Sequence, residues 1–234
     1  MLKILSKFGH KKPVLTEKPQ LSYSQCGEDL IVQFLLNWMG LQSVRYLDLG
    51  ANDPVKFNNT YLLYTQGHRG VLVEADPDLA KKIRDVRPDD TCVAKAVTVT
   101  SDKHVEFYKM SADTLSTTHS KTAERYARET EHQLALKLTI EASHINSLLE
   151  DHFGQTSPDF VSLDVEGLDL DLLRAWNFDR WRPAIFCIET LTYVQNETAM
   201  KIKEIFETME AAGYQVYADT YINTIFLDRS VKQL

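Results

Sequence analysis

Cysteine is scarce in this chain of 234 residues. There are three, Cys26, Cys92 and Cys187, far apart and odd in number. No disulfide framework can use all of them, and no pair has metal-ligand spacing, so reduced thiols of a cytoplasmic protein are expected. Glycine (9) and proline (7) are too few for a collagenous or low-complexity chain. No apolar run approaches the roughly 18 residues that span a bilayer. Positive charge is also short: 26 Lys and Arg stand against 33 Asp and Glu, a net charge of −7. That balance argues against duplex nucleic acid as the main partner. A Gly-x-Gly-x-x-Gly fingerprint is absent after the first strand, which argues against a nicotinamide-dependent oxidoreductase.

The chain has 44% hydrophobic and 25% charged residues, as ordinary globular proteins do. Residues 1–20 stand apart as a basic N-terminal arm: Lys3, Lys7, Lys11, Lys12 and Lys18 face one acid, Glu17. Leu2, Leu5 and Phe8 could share one helical face there. The arm reads as a membrane-surface or partner-binding segment, or as a short packed helix on a Pro13–Pro19 tether. No apolar stretch follows the lysines, so a signal peptide is not expected. Residues 21–234 read as one domain with an insertion around 102–142.

Within that domain short β-rich runs alternate with helical patterns, which implies a parallel sheet covered on both faces. Helices are expected over residues 28–38, 59–65 (capped by Asn58), 77–86, 146–153, 168–176 and 198–212. Strands are expected over 44–49, 70–74, 91–97, 160–164 and 184–189. Residues 214–218 and 222–227 lie close enough to pair as a hairpin, so the sheet should end in an antiparallel pair. Inside the insertion, 105–108 and 136–140 alternate like strands. Between them, residues 111–133 form a polar excursion carrying Ser116-Thr117-Thr118-His119, placed like a substrate lid or a plain surface insertion.

In open α/β sheets ligands lie beyond the carboxyl ends of the strands. Those ends are acidic. The first reads Asp48-Leu49-Gly50-Ala51-Asn52-Asp53-Pro54, an acidic loop suited to a cationic ligand and hostile to a diphosphate. The second ends at Glu74, placed to accept hydrogen bonds from ribose hydroxyls. The fourth and fifth end at Asp164, Glu166 and Glu189. Three acids converging there raise one another's pKa, and either a divalent metal or a carboxylate base accounts for them. Asp164 and Glu166 could instead cap the following helix.

The segments Tyr23-Ser24-Gln25-Cys26-Gly27-Glu28-Asp29, Asp48 to Pro54, Asn59-Thr60-Tyr61, Glu74-Ala75-Asp76-Pro77, Leu163-Asp164-Val165-Glu166-Gly167, Arg182-Pro183 and Ile188-Glu189-Thr190 occur in order over residues 21–228. With them the chain resembles the FkbM family of S-adenosylmethionine-dependent methyltransferases. The resemblance implies a class I methyltransferase (Rossmann-like) fold, a seven-stranded mostly parallel sheet with an antiparallel last strand and helices on both faces. It also implies O-methylation of a sugar, glycan or natural-product hydroxyl. Carried over, Asp48, Gly50 and Asn52 line the methionine end of S-adenosylmethionine, with Ala51, Thr60, Ala75 and Asp164 beside the cofactor. Glu74 takes the ribose, and Gln25 covers the cofactor from the leading segment. The chain departs from the family at His144-Ile145-Asn146, where Thr-Leu-Asp is usual, and Asn146 is given no role.

A hydroxyl acceptor must lose its proton. His119 is one expected base. The other expectation is a magnesium-like ion on Asp164 and Glu189, with Glu166 beside them. Tyr108, His119, Tyr126, Trp176 and Tyr193 are candidates for the acceptor pocket. A cofactor-binding but inactive interaction module is the rival of a different class.

Overall fold

The computed structural model describes residues 20–191 and 200–231. The basic arm up to residue 19 and Tyr193 lie outside the described residues.

The chain begins with α1 (Glu28–Trp38), then β1 (Arg45–Leu49), α2 (Tyr61–Thr65), β2 (Arg69–Val73), α3 (Pro77–Val86) and β3 (Thr91–Val93). After an excursion it resumes with α5 (Ile145–Phe153), β7 (Phe160–Leu163), α6 (Asp169–Ala175), β8 (Ile185–Glu189), α7 (Lys203–Ala211), β9 (Tyr214–Asp219) and β10 (Asn223–Asp228). The excursion itself holds β4 (Ala96–Thr98), β5 (His104–Met110), α4 (Ser120–Glu129) and β6 (Leu134–His144).

The main sheet has seven strands in the order β3-β2-β1-β7-β8-β10-β9, and β10 runs antiparallel to both neighbours. Its other pairs, β3 to β8, are parallel. This is the class I methyltransferase arrangement. Alternation along each strand feeds two cores. Leu47, Leu49, Val71, Val161, Phe186 and Phe226 pack with α5, α6 and α7. Tyr46, Leu72, Phe160, Ile185 and Ile225 pack with α1 and with Leu63 and Ile83 of α2 and α3. Each fully buried Leu or Phe contributes about 1.5–3 kcal/mol.

Three expected elements differ. The strand expected over 91–97 is two strands: a turn at Lys95, whose amide donates to Val93 O, sends β4 out of the main sheet to pair with β6. The excursion is a three-stranded sheet, β4-β6-β5, with α4 packed through Met110, Leu115, Ala123 and Tyr126. Its polar run 120–129 is helical because Thr122, Ala123 and Tyr126 supply a narrow buried stripe. The last long helix starts at Lys203, later than expected, because Lys201 bridges to Leu191 and its ammonium reaches Thr190 and Asp219. Residues 198–199 of that expectation lie outside the described residues.

The order of strands reverses between β1 and β7. From β1 the chain builds outward through β2 to β3, and then returns to the other side of β1 as β7. The crevice at the carboxyl ends of the strands opens at this switch.

Candidate active site

The crevice holds about 360 Å³, within the range of small-molecule sites. Gln25, Asp48, Gly50, Ala51, Asn52, Glu74, Ala75, Asp164, Glu166 and Glu189 line it. Strand register explains the convergence. Leu49 lies opposite Val73 on one side and Leu163 on the other, and Leu163 lies opposite Ile188. The residues just beyond those positions therefore meet at one level.

Gly50 makes the turn out of β1 at φ +78°, and a Cβ there would stand 1.8 Å from the Asp164 carbonyl oxygen. Only glycine lets the two strand tips approach so closely. Asn52 follows at φ 49°, a conformation asparagine tolerates. Its amide donates to Glu74 Oε2 at 2.8 Å, while the Asp76 amide donates to Oε1 at 2.7 Å. Glu74 is thus fixed by two backbone amides. Burial pushes its carboxyl up to about 7 against those bonds. Asp76 caps α3, its Oδ1 accepting from the Asp78 amide at 2.8 Å, and Oδ2 pairs with Lys109 of β5 at 2.8 Å. That ion pair fastens the small sheet to the rim of the crevice.

Asp48 is buried on β1. Its Oδ2 accepts from Thr60 Oγ1 at 2.7 Å and from Asn58 Nδ2 at 3.2 Å. Burial raises its pKa, and these donors with the Arg87 charge pull it back. Thr60 does not line the crevice: it is fully buried behind Asp48. The Asn58 side chain sits before α2 as expected, but its Oδ1 accepts from the Thr60 amide and the helix starts at Tyr61.

Gln25 arrives from the leading segment because two acids hold that segment down. Asp29 accepts from Ser22, Ser24 and the Tyr23 amide. Glu28 accepts from the Cys26 amide, Thr220 and Asn223. Asn223 also donates to Gln25 Oε1 at 3.2 Å.

Opposite Glu74, single carboxylate oxygens of Asp164, Glu166 and Glu189 lie within 4.8 Å of one another. Burial, then neighbouring acids, raises all three, Asp164 to about 7. Glu189 lies close enough to Asp164 to share a proton with it. Among the described residues, Asp164 Oδ1 is buried with no hydrogen-bond partner. Tyr126 of α4 donates to Glu166 Oε2 at 2.7 Å, and Thr117 Oγ1 donates to the Glu166 carbonyl at 2.8 Å. Glu166 sits at φ 52°, a conformation a glutamate rarely adopts. Neither Asp164 nor Glu166 caps α6, whose N-cap Leu168 has no side-chain hydrogen bond; Asp169, its first residue, reaches back to accept from the Val165 and Gly167 amides of the preceding loop.

A family model for the methyltransferase FkbM domain matches residues 48–216. The chain belongs to the FkbM methyltransferase family. The match spans every strand tip of this FkbM crevice. No curated protein matches the sequence. Solved structures similar to this FkbM chain include a TehB-like SAM-dependent methyltransferase from Corynebacterium glutamicum (12% identity over 87% of this chain and 88% of that one, TM-score 0.45). Another is the 1,6-didemethyltoxoflavin-N1-methyltransferase of Burkholderia thailandensis, with bound 1,6-didemethyltoxoflavin and S-adenosylhomocysteine (11%, 86% and 74%, 0.43). A third is a precorrin-6y C5,15-methyltransferase from Geobacter metallireducens (15%, 86% and 88%, 0.43).

Three residues expected in the acceptor pocket stand elsewhere. His119 is not in the lining; it precedes α4, and its Nδ1 lies 3.1 Å from Thr122 Oγ1. Trp176 is core, donating to the Trp181 carbonyl at 2.7 Å. The Tyr108 hydroxyl turns to Glu106 outside the crevice. Asn146 ties α5 to the end of α6 through the Ala175 carbonyl and the Asn177 amide. Sequence reasoning missed Asn59, Thr117 and Arg87. Asn59 lines the crevice and donates to Ser162 at 3.1 Å. Its place beside Thr60 in a matched segment was the available signal.

Proposed function

We propose that the chain transfers a methyl group from S-adenosylmethionine to a hydroxyl of a sugar, glycan or natural product. The observation that carries the reading is the pairing across one crevice of an amide-held acid, Glu74, with an acid trio at the opposite strand tips. The residues suit this cofactor. Glu74 keeps acceptor capacity for a ribose diol, Asp48 offers charge to an ammonium, and the gap over Gly50 admits a ligand against backbone. When bound, S-adenosylmethionine supplies an activated methyl on a cationic sulfur. The acid trio favours that cation over the neutral sulfide left after transfer.

Asp164 is the base in this reading. Its Oδ1 is buried and, among the described residues, unpartnered, and its pKa of about 7 matches neutral operation. It takes the acceptor's hydroxyl proton as the new O–C bond forms and the C–S bond breaks. Glu189 and Glu166 hold Asp164 in place by charge and shared protons, and Tyr126 holds Glu166. The wall from the excursion offers Thr114, Ser116, Thr117 and Thr118, hydroxyls suited to a polyol acceptor.

The spacing of the trio also admits a hard cation on Asp164 and Glu189. The proton shared by Asp164 and Glu189 and the Tyr126 hydroxyl already supply the positive partners that an ion would replace. Activity undiminished in excess chelator is therefore expected, and its abolition, restored by magnesium, would favour the ion. The reaction itself is tested by radiolabelled methyl uptake across a panel of sugars, nucleotide sugars and glycans. Asp164→Asn should retain S-adenosylhomocysteine binding by calorimetry and lose about 10²–10⁴-fold in kcat. Binding without transfer to any acceptor would instead support an inactive module.

A further inference from the structure

Arg87 closes α3 and is fully buried, and it does not line the crevice. A buried guanidinium persists only with its donors satisfied. One side is taken by Asp90, at 2.8 Å from Nη2 and 2.9 Å from Nε, with Tyr46 Oη at 3.0 Å. The other side points toward the crevice. Nη1 donates to Asn58 Oδ1 and to Thr60 Oγ1, both at 3.1 Å, and Nη2 reaches the same Thr60 oxygen at 3.1 Å.

Those two acceptors are the groups that serve Asp48. Thr60 has one hydroxyl proton. With Arg87 donating to Thr60 Oγ1 and to Asn58 Oδ1, that proton is directed to Asp48 Oδ2, its shortest contact at 2.7 Å. The same bond to Asn58 Oδ1 fixes the amide so that Nδ2 faces Asp48. We infer that Arg87 is a positioning residue of the crevice: acting through Thr60 and Asn58, it holds Asp48 as a fixed anion at the tip of β1. The inference rests on the cofactor reading above, in which Asp48 meets the ligand's cationic end.

The titratable groups that face Asp48 are Arg87 beyond Thr60, Asp164 at the end of β7 and the Cys187 thiol of β8. Asp164 and a thiolate would both disfavour a charge on Asp48, and burial disfavours it further. Arg87 is the one cation in this set. Without its relay the Asp48 carboxyl, already raised by burial, should rise further, and the grip on a cation should fail from the acid side first.

Calorimetric titration of S-adenosylhomocysteine from about pH 6 to about pH 8 tests this, scored as the ratio of variant to wild-type affinity so that the ligand's own titration cancels. Thr60→Val breaks the relay and leaves the Arg87–Asp90 pair intact, so it does not depend on whether Arg87 variants fold. The expected ratio for Thr60→Val and for Arg87→Gln is about tenfold down near pH 6, recovering toward one near pH 8. Arg87→Lys, which keeps the charge, should lie closer to wild type. In an Asp48→Asn background Thr60→Val should add no pH dependence. A ratio that falls equally at every pH marks a packing role and overturns the inference. Absence of binding by the wild-type chain would be a different failure, that of the cofactor reading and of this inference with it.

Discussion

At the scale of single residues, Glu74 is a buried carboxylate whose proposed role in ribose binding is open to test. Two amides hold it, and burial still lifts it to about 7. A diol donating to it favours the charged form, so affinity for S-adenosylhomocysteine should fall as pH drops through about 7. Glu74→Gln removes the charge and leaves one of two facing amides without an acceptor. Hydrogen bonds to charged groups contribute about 1.5–3 kcal/mol, so affinity should drop roughly 10–100-fold and its slope with pH should flatten. Calorimetry at several pH values measures both. Unchanged affinity would remove Glu74 from the ribose role.

At the scale of elements, the small sheet and α4 matter because they bring Tyr126 and Thr117 onto the loop after β7. Tyr126→Phe keeps the ring packed against Met110 and Leu115 and deletes one donor. Losing a donor to the charged form raises the Glu166 pKa further. The expected result is a several-fold lower kcat with KM little changed, and an acid limb of the pH–rate profile moved to higher pH. A profile that moves only in KM would assign Tyr126 to acceptor binding instead. The tips of β1, β2, β7 and β8 are legible in the sequence because apolar runs end there in acids, but their spatial order, β2-β1-β7-β8, departs from their order along the chain. The excursion is not legible in the same way. The pairing of β4 with β6 joins residues about 46 apart in sequence, beyond any local periodicity. Arg87 is invisible for a related reason: an arginine at a helix end reads as a solvated cap, and its partners at Asn58 and Thr60 are brought to it only by packing.

At the scale of the whole molecule, the raised carboxyls make stability depend on pH in a defined direction. Glu74 and Asp164 titrate at about 7 in the folded chain, against model-peptide values near 4. Between those values the folded state binds more protons than the unfolded one, so stability falls as pH rises. The contribution is complete below about pH 4 and gone above about pH 7, on the order of a few kcal/mol. Glu28, Asp53 and Asp228 are lowered and act the other way, but they titrate below the unfolded range and leave this window alone. Thermal unfolding of the ligand-free protein should therefore show a higher midpoint near pH 5.5 than near pH 8, and Glu189→Gln should lessen the difference. A midpoint that climbs steadily with pH would contradict the acid trio's burial. The reversal of strand order has a cost of its own during synthesis. The Arg45 amide finds the Asp159 carboxylate across 114 residues of chain, and β1 bonds β7 only after that stretch has left the ribosome. Until then β1, an interior strand of the finished sheet, is a bare margin, open to any extended peptide nearby. Nascent or truncated chains ending before Phe160 should be the aggregating species, which makes chaperone demand a property of the topology more than of the crevice.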